Sequence, residues 1–225
     1  MAPLTAPSST VEDYVKRIYN AQLKSVDAPV STGQIAAALG VAPGTATTMV
    51  KALAASDLVT YAPYTGVRLT PDGTRLATHV LRRHRVVELF LVEIMGIDWS
   101  EVHEDAEILE HAVSDRLIDR MDEMLGRPEV DPHGDPIPSA AGKIVETDDP
   151  TLLDCPERTA LRVTRVLDQS SEFLRLLETH SLVPGSPVEV ESRDEAAETV
   201  SIRAAGRLFS LGFGPAARVL VRPNG

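Results

Sequence analysis

One cysteine, Cys155, occurs among 225 residues. A lone thiol cannot close an intrachain disulfide, excludes a cysteine-built metal site and fits a reducing compartment. Long apolar runs are also missing: Leu89-Phe90-Leu91-Val92 is interrupted by charge within a few residues, too short to span a bilayer. The first twenty residues lack a basic stretch followed by an apolar one, so no secretory leader is expected and the chain is assigned to the cytoplasm. No HExxH pair, nucleophile motif or Gly-rich phosphate loop is present, which leaves an enzyme without machinery. Internal repeats and low-complexity tracts are absent too. Basic residues are in deficit, 22 Lys and Arg against 33 Asp and Glu for a net charge of −11, and on average that opposes a nucleic-acid partner.

The average conceals an asymmetry. Residues 1–86 carry nine Lys/Arg and five Asp/Glu, a surplus of four positive charges, whereas residues 87–225 carry thirteen and twenty-eight, a deficit of fifteen. A DNA-reading head on an acidic body has this pattern, as do two domains that differ in charge by chance. The length and a hydrophobic content of 43 % support two or three small domains with real cores.

Apolar Val11, Val15, Ile18, Tyr19 and Leu23 recur at helical spacing after cap candidates Ser9 and Thr10, which predicts a helix over 9–23 stopped by Asp27-Ala28-Pro29. Ser31 caps a short helix, Thr32–Leu39; Gly40-Val41-Ala42-Pro43 turns the chain; and Gly44–Ser56 forms a second helix, giving a helix-turn-helix. The β-type runs Leu58–Tyr61 and Gly66–Thr70 flank Ala62-Pro63-Tyr64-Thr65 as a hairpin, the wing. Thr70-Pro71 opens a long helix to about Met95. A second long helix is predicted from about Ser100 to Leu125, with Val102, Ala106, Leu109, Val113, Leu117 and Met121 on one face. Arg127–Ala141, punctuated by four prolines, is an irregular connector. Beyond Lys143, strand-like runs at Ala160–Leu167, Pro187–Arg193, Thr199–Ala204 and Ala217–Arg222, with a short helix near Leu174–Thr179, suggest a small β-barrel.

Two faces carry chemistry. Thr45, Thr47, Thr48 and Lys51 lie on the second helix of the helix-turn-helix, either as a recognition surface whose hydroxyls meet phosphates and base edges, or as a plain polar surface. Thr10 and Ser31 complete the candidate DNA-contacting set. His103, Glu107, Glu110 and His111 occupy one stripe of the second long helix, and His84 and Glu88 repeat the i, i+4 relation on the preceding one. Imidazole and oxygen donors without sulfur suit manganese, ferrous iron, cobalt or zinc; the alternative is a solvated helix face with ordinary i, i+4 pairs. Cys155 falls outside both faces, and His79 and His133 read as surface or structural histidines.

The stretches Arg83-His84-Arg85-Val86-Val87-Glu88, Val102 through Asp115 and Asp131-Pro132-His133-Gly134-Asp135-Pro136-Ile137-Pro138 resemble the signature of the diphtheria toxin repressor family of metal-dependent transcription regulators. The resemblance implies a mainly α chain with a C-terminal small β-barrel: a winged helix-turn-helix (1–74), a helical metal-binding and dimerisation domain (75–142) and an SH3-like domain (143–225). It implies two metal sites per subunit. One would use Asp13, Glu107, Glu110 and His111; the other His84, Glu88 and His103, with Gln169 and Glu172 from a segment that is otherwise a polar turn. Asp13 and Glu107 stand where the iron-responsive branch has methionine and cysteine, so the closer likeness is to manganese transport regulators, although Lys16 replaces a further acid of the compact members. The implied function is manganese-dependent repression by a homodimer on palindromic double-stranded operator DNA, controlling metal-uptake genes. An iron(II) regulator and a metal buffer are the rival readings.

Overall fold

The computed structural model describes residues 7–23, 28–145 and 147–224. The chain divides into two compact units, residues 1–83 with 138–143, and residues 84–137 with 144–225.

The first unit begins with α1 (Ser9–Leu23), whose first turn is capped by Ser8, one residue before the expected caps: its carbonyl accepts from Glu12 N at 3.1 Å and its hydroxyl from Val11 N at 3.4 Å. Asp27, expected among the residues that stop this helix, lies outside the described residues. Helix α2 (Thr32–Leu39) opens on Ser31 in a full capping box, with Gln34 N donating to Ser31 Oγ and Ser31 N to the Gln34 side chain, and closes on left-handed Gly40. Helix α3 (Pro43–Ala55) starts one residue earlier than expected because Pro43 fits the first helical position. Strands β1 (Val59–Ala62) and β2 (Gly66–Leu69) pair antiparallel as the hairpin, and Val30 adds a one-residue bridge to Val67. Val15, Ile18, Ile35, Val50, Leu53 and Val67 make one core, so the three helices and the hairpin form a winged helix-turn-helix.

Helix α4 (Pro71–Glu93), capped by Thr70 Oγ1 accepting from Gly73 N at 3.0 Å, gives its first half to this unit and its second half to the next. The expected second long helix is two: α5 (Val102–Ala112) and α6 (Asp115–Met124). Ser114 sits extended between them as the cap of α6, and Asp115 occupies its first turn; both types favour a helix start over a helix interior. The break resets the helical phase, so Ile118 rather than Leu117 is buried, with Val86, Val87, Leu91, Val102, Ala106 and Ile137.

The rest of the second unit is a five-stranded antiparallel sheet: β3 (Leu161–Val166), β4 (Pro187–Asp194), β5 (Thr199–Ala204), β6 (Arg207–Gly212) and β7 (Val219–Pro223), in the order β6-β5-β4-β3-β7. Helix α7 (Ser171–Thr179) buries Phe173, Leu174 and Leu177 against Val163, Val190, Ile202 and Val219, and α8 (Phe213–Ala216) is a single turn before β7. Strand β6 was not expected, because Leu211 alone of its residues is buried and an edge strand of that kind shows no alternation. Within the connector, Asp131–Asp135 is a tight loop: Asp131 Oδ1 accepts from His133 N and Asp135 N at 2.8 and 3.0 Å, and His133 O accepts from Val166 N of β3. Among the described residues, no helix is long and apolar enough to cross a membrane.

Candidate metal centre and nucleic-acid interface

The second half of α4 presents His84 and Glu88 one turn apart, toward the face of α5 that carries His103, Glu107 and Glu110. His84 Nε2 lies 2.9 Å from Glu88 Oε1, and His84 Nδ1 lies 2.5 Å from Glu110 Oε2. His103 Nδ1 reaches the same Glu88 oxygen at 3.0 Å, its Nε2 stands 3.4 Å from Glu107 Oε1, and the two imidazoles meet edge to face at 4.9 Å. His111 Nε2 is 3.4 Å from Glu110 Oε1. Glu88 and Glu110 are 1 % and 0 % exposed. A solvated helix face does not bury two carboxylates, since an uncompensated buried charge costs several kcal/mol. Burial pushes the Glu88 carboxyl up, but the charge of His84 and the hydrogen bonds from His103 and His84 outweigh it and hold the group well below the usual carboxylate range.

Single ligand atoms of His84, Glu88 and His103 lie within 4.8 Å of one another, as do those of His84, Glu107 and Glu110. The donors are imidazole nitrogen and carboxylate oxygen, a set that suits a hard or borderline divalent ion. A third grouping, Glu88 with Asp131 and His133, escaped the sequence reading. His133 is the structural histidine expected: it is fully buried, stacks on Trp99 and donates from Nε2 to Trp99 O at 2.9 Å. Asp131 shares its pocket with Arg85, whose Nε lies 3.6 Å from Asp131 Oδ2, so an arginine already supplies positive charge there. The signal lay in the Asp131–Asp135 loop, whose turn chemistry reads as local punctuation and says nothing of the helix it packs against.

Among the other expected ligands, Asp13 is half-buried on α1 in the first unit. Gln169 donates from Nε2 to Asp135 Oδ2 at 2.9 Å. Glu172 is exposed in the first turn of α7 beside an open groove that Phe173 and Arg218 also line, and among the described residues it joins none of the ligand groupings.

On α3, Thr45 and Lys51 are exposed. Thr47 and Thr48 each donate their hydroxyl proton back into the helix, to Pro43 O and Gly44 O at 2.9 Å. Their oxygens remain acceptors and their methyls remain apolar contacts, which modifies the expectation that these hydroxyls donate to phosphates. Thr10 is exposed in the first turn of α1, and Ser31 Oγ, although engaged as a cap, keeps its proton to donate.

Three family models match in succession: the iron dependent repressor N-terminal DNA binding domain over residues 7–67, the iron dependent repressor metal binding and dimerisation domain over 70–139, and the FeoA domain over 151–223. A solved structure described as a manganese-dependent transcriptional repressor in complex with manganese superposes with a TM-score of 0.84 at 38 % identity, covering 95 % of this chain and all of the other. The chain belongs to the diphtheria toxin repressor family. Curated relatives of this repressor include an uncharacterised HTH-type transcriptional regulator of Methanocaldococcus jannaschii, 38 % identical over 51 % of this chain and 90 % of the relative. The HTH-type transcriptional regulator MntR of Listeria monocytogenes is 35 % identical over 53 % of this chain and 82 % of its own length. The family is one of transcription regulators and not of enzymes.

Proposed function

We propose that the chain is a manganese-dependent repressor which, when loaded with metal, binds palindromic operator DNA as a homodimer and shuts down metal-uptake genes in the cytoplasm. The observation that carries this reading is the burial of Glu88 and Glu110 against His84 and His103 in a chain that also holds a winged helix-turn-helix. The relatives described as manganese-dependent support the choice of ion, and so does a donor set free of sulfur. Three domains, 1–74, 75–142 and 143–225, are the proposed division; three matched segments at 7–67, 70–139 and 151–223 support the number of domains.

Glu107, Glu110 and His111 would hold one cation together with Asp13 of the DNA-binding domain. His84, Glu88 and His103 would hold the second, with Gln169 and Glu172 as candidates to complete it. A bound divalent cation supplies positive charge that offsets the clustered acids and a coordination bond to each donor. Asp13, so tied, restrains α1 and with it the helix-turn-helix; any ion that favours this restrained state shifts the population toward it. Ile94, Met95, Ile108, Leu117 and Met124, exposed at the ends and outer faces of α4, α5 and α6, would form the dimer contact. Two recognition helices could then enter successive major grooves roughly 34 Å apart.

A second reading has its own support, since two of the matched models are described as iron dependent, and carboxylate and imidazole donors accept ferrous iron nearly as well. Comparing free manganese with free ferrous iron as activators of operator binding decides between the two. Metal uptake with no metal-dependent DNA binding would instead identify a buffer.

A further inference from the structure

Tyr64 stands at the tip of the β1–β2 hairpin, and nothing in the fold accounts for it. The ring is fully exposed, and among the described residues no large apolar side chain is more so. Its backbone is left-handed, at φ +64°. Thr65 N donates to Ala62 O at 3.1 Å, so Pro63 and Tyr64 are the second and third residues of a tight turn. A positive φ at that third position favours glycine, because a Cβ crowds the neighbouring backbone in the left-handed region. Packing can offset such strain, but a solvent-exposed ring packs on nothing. Strain that brings the fold no return points to work done by the side chain outside the fold.

The stalk beneath the ring is stiff. Four residue pairs hold β1 to β2 in register, Val30 exchanges two backbone hydrogen bonds of 2.9 Å with Val67 on the outer edge of β2, and proline fixes one side of the turn. A ring so held loses little freedom on binding. Its surroundings select the partner. From Leu58 to Pro71 there is no Asp or Glu, in a chain that has 33 of them, and Arg68 is the one Lys or Arg. An acid-free finger ending in a phenol suits a polyanion: a phosphate oxygen accepts from the hydroxyl, and the ring face covers the apolar carbons of the adjoining sugar. The hairpin also lies largely within the match to the DNA binding domain, 7–67, in the unit that carries α3.

We propose that Tyr64 contacts the DNA backbone, its hydroxyl donating to a phosphate and its ring lying against the adjoining deoxyribose, and that the left-handed turn is retained to present it. The inference rests on the operator-binding reading and adds a contact to the set of Thr10, Ser31, Thr45, Thr47, Thr48 and Lys51.

The test uses the full-length protein loaded with manganese, a labelled palindromic promoter fragment and fluorescence anisotropy at stepped salt, with thermal unfolding and sedimentation of each variant. Tyr64→Gly should weaken DNA binding by about tenfold or more, since each protomer loses a hydrogen bond to a charged group; Tyr64→Phe, which keeps the ring, should fall between. Both variants should keep the wild-type salt slope, because a neutral side chain releases no counterions. Tyr64→Gly should unfold at a temperature no lower than wild type, as relief of the left-handed strain offsets the greater freedom of glycine in the unfolded chain, so its weakened complex is not the result of misfolding. Unchanged affinity in Tyr64→Gly overturns the proposal, and so does a Tm several degrees below wild type, which would make the ring structural. Altered sedimentation with DNA affinity intact also overturns it and identifies a protein contact instead. Failure of manganese-loaded wild type to bind the fragment overturns both this proposal and the operator-binding reading.

Discussion

Replacing Gly134 with alanine isolates the loop that packs beside the Glu88 region. Gly134 has φ +85°, and a Cβ there would lie 2.0 Å from Thr164 O and 2.7 Å from Arg165 Cα, both backbone atoms of β3. The left-handed conformation alone costs a residue with a Cβ about 1–2 kcal/mol. The overlap cannot be relieved by a rotamer change, so loop or strand must shift, at about 1–3 kcal/mol more. The sum, roughly 2–5 kcal/mol, corresponds to a fall in Tm on the order of 10 °C for a chain of this length. Gly185→Ala is the control: its φ is +90°, but among the described residues no atom lies within 4 Å of the new Cβ, so only the conformational cost applies. Thermal and urea unfolding of the metal-free proteins should rank Gly134→Ala well below Gly185→Ala. Equal losses would show that loop and strand are not packed as described.

Two further outcomes follow from the same geometry. Burial, then the carboxylates of Asp135 and Glu88, hold the Asp131 carboxyl well above the usual range, so the folded chain keeps a proton that the unfolded chain releases near pH 4. Stability contributed by that proton is lost as pH rises from about 4 through the folded value; Asp131→Asn keeps the oxygen that accepts from His133 and Asp135 and should flatten this decline in urea unfolding at stepped pH, whereas an unchanged slope would exclude the buried acid as its source. Thr45→Ala/Thr47→Ala should weaken operator binding by on the order of 1–3 kcal/mol with manganese affinity retained, checked by a fluorescence binding assay and calorimetry; parallel loss of both would point to a folding defect instead.

Much of this architecture was legible because local chemistry and tertiary packing agree. Ser31, Gly40 and Pro43 punctuate the helix-turn-helix in sequence as they do in space, and the His103–His111 stripe predicted the face that meets α4. The failures share a cause. Leu117 looked like the continuation of an apolar stripe, since periodicity counts straight through Ser114, where the backbone restarts. Strand β6 has too few buried positions to alternate, and its pairing with β5 is set by the neighbouring strand. The sharing of His84 between Glu88 and Glu110 was invisible because i, i+4 spacing describes one helix and not the register of two. The bond from Gln169 to Asp135 was likewise invisible, because it depends on a contact over thirty residues away in sequence.

The most direct test of metal-gated DNA binding uses full-length, metal-stripped protein and a labelled palindromic promoter fragment, titrated with manganese and separately with anaerobic ferrous iron, beside Asp13→Ala/Glu107→Ala. The expected result is activation by manganese at a lower free concentration than iron, abolished in the variant. DNA binding equally strong with and without metal would contradict the account.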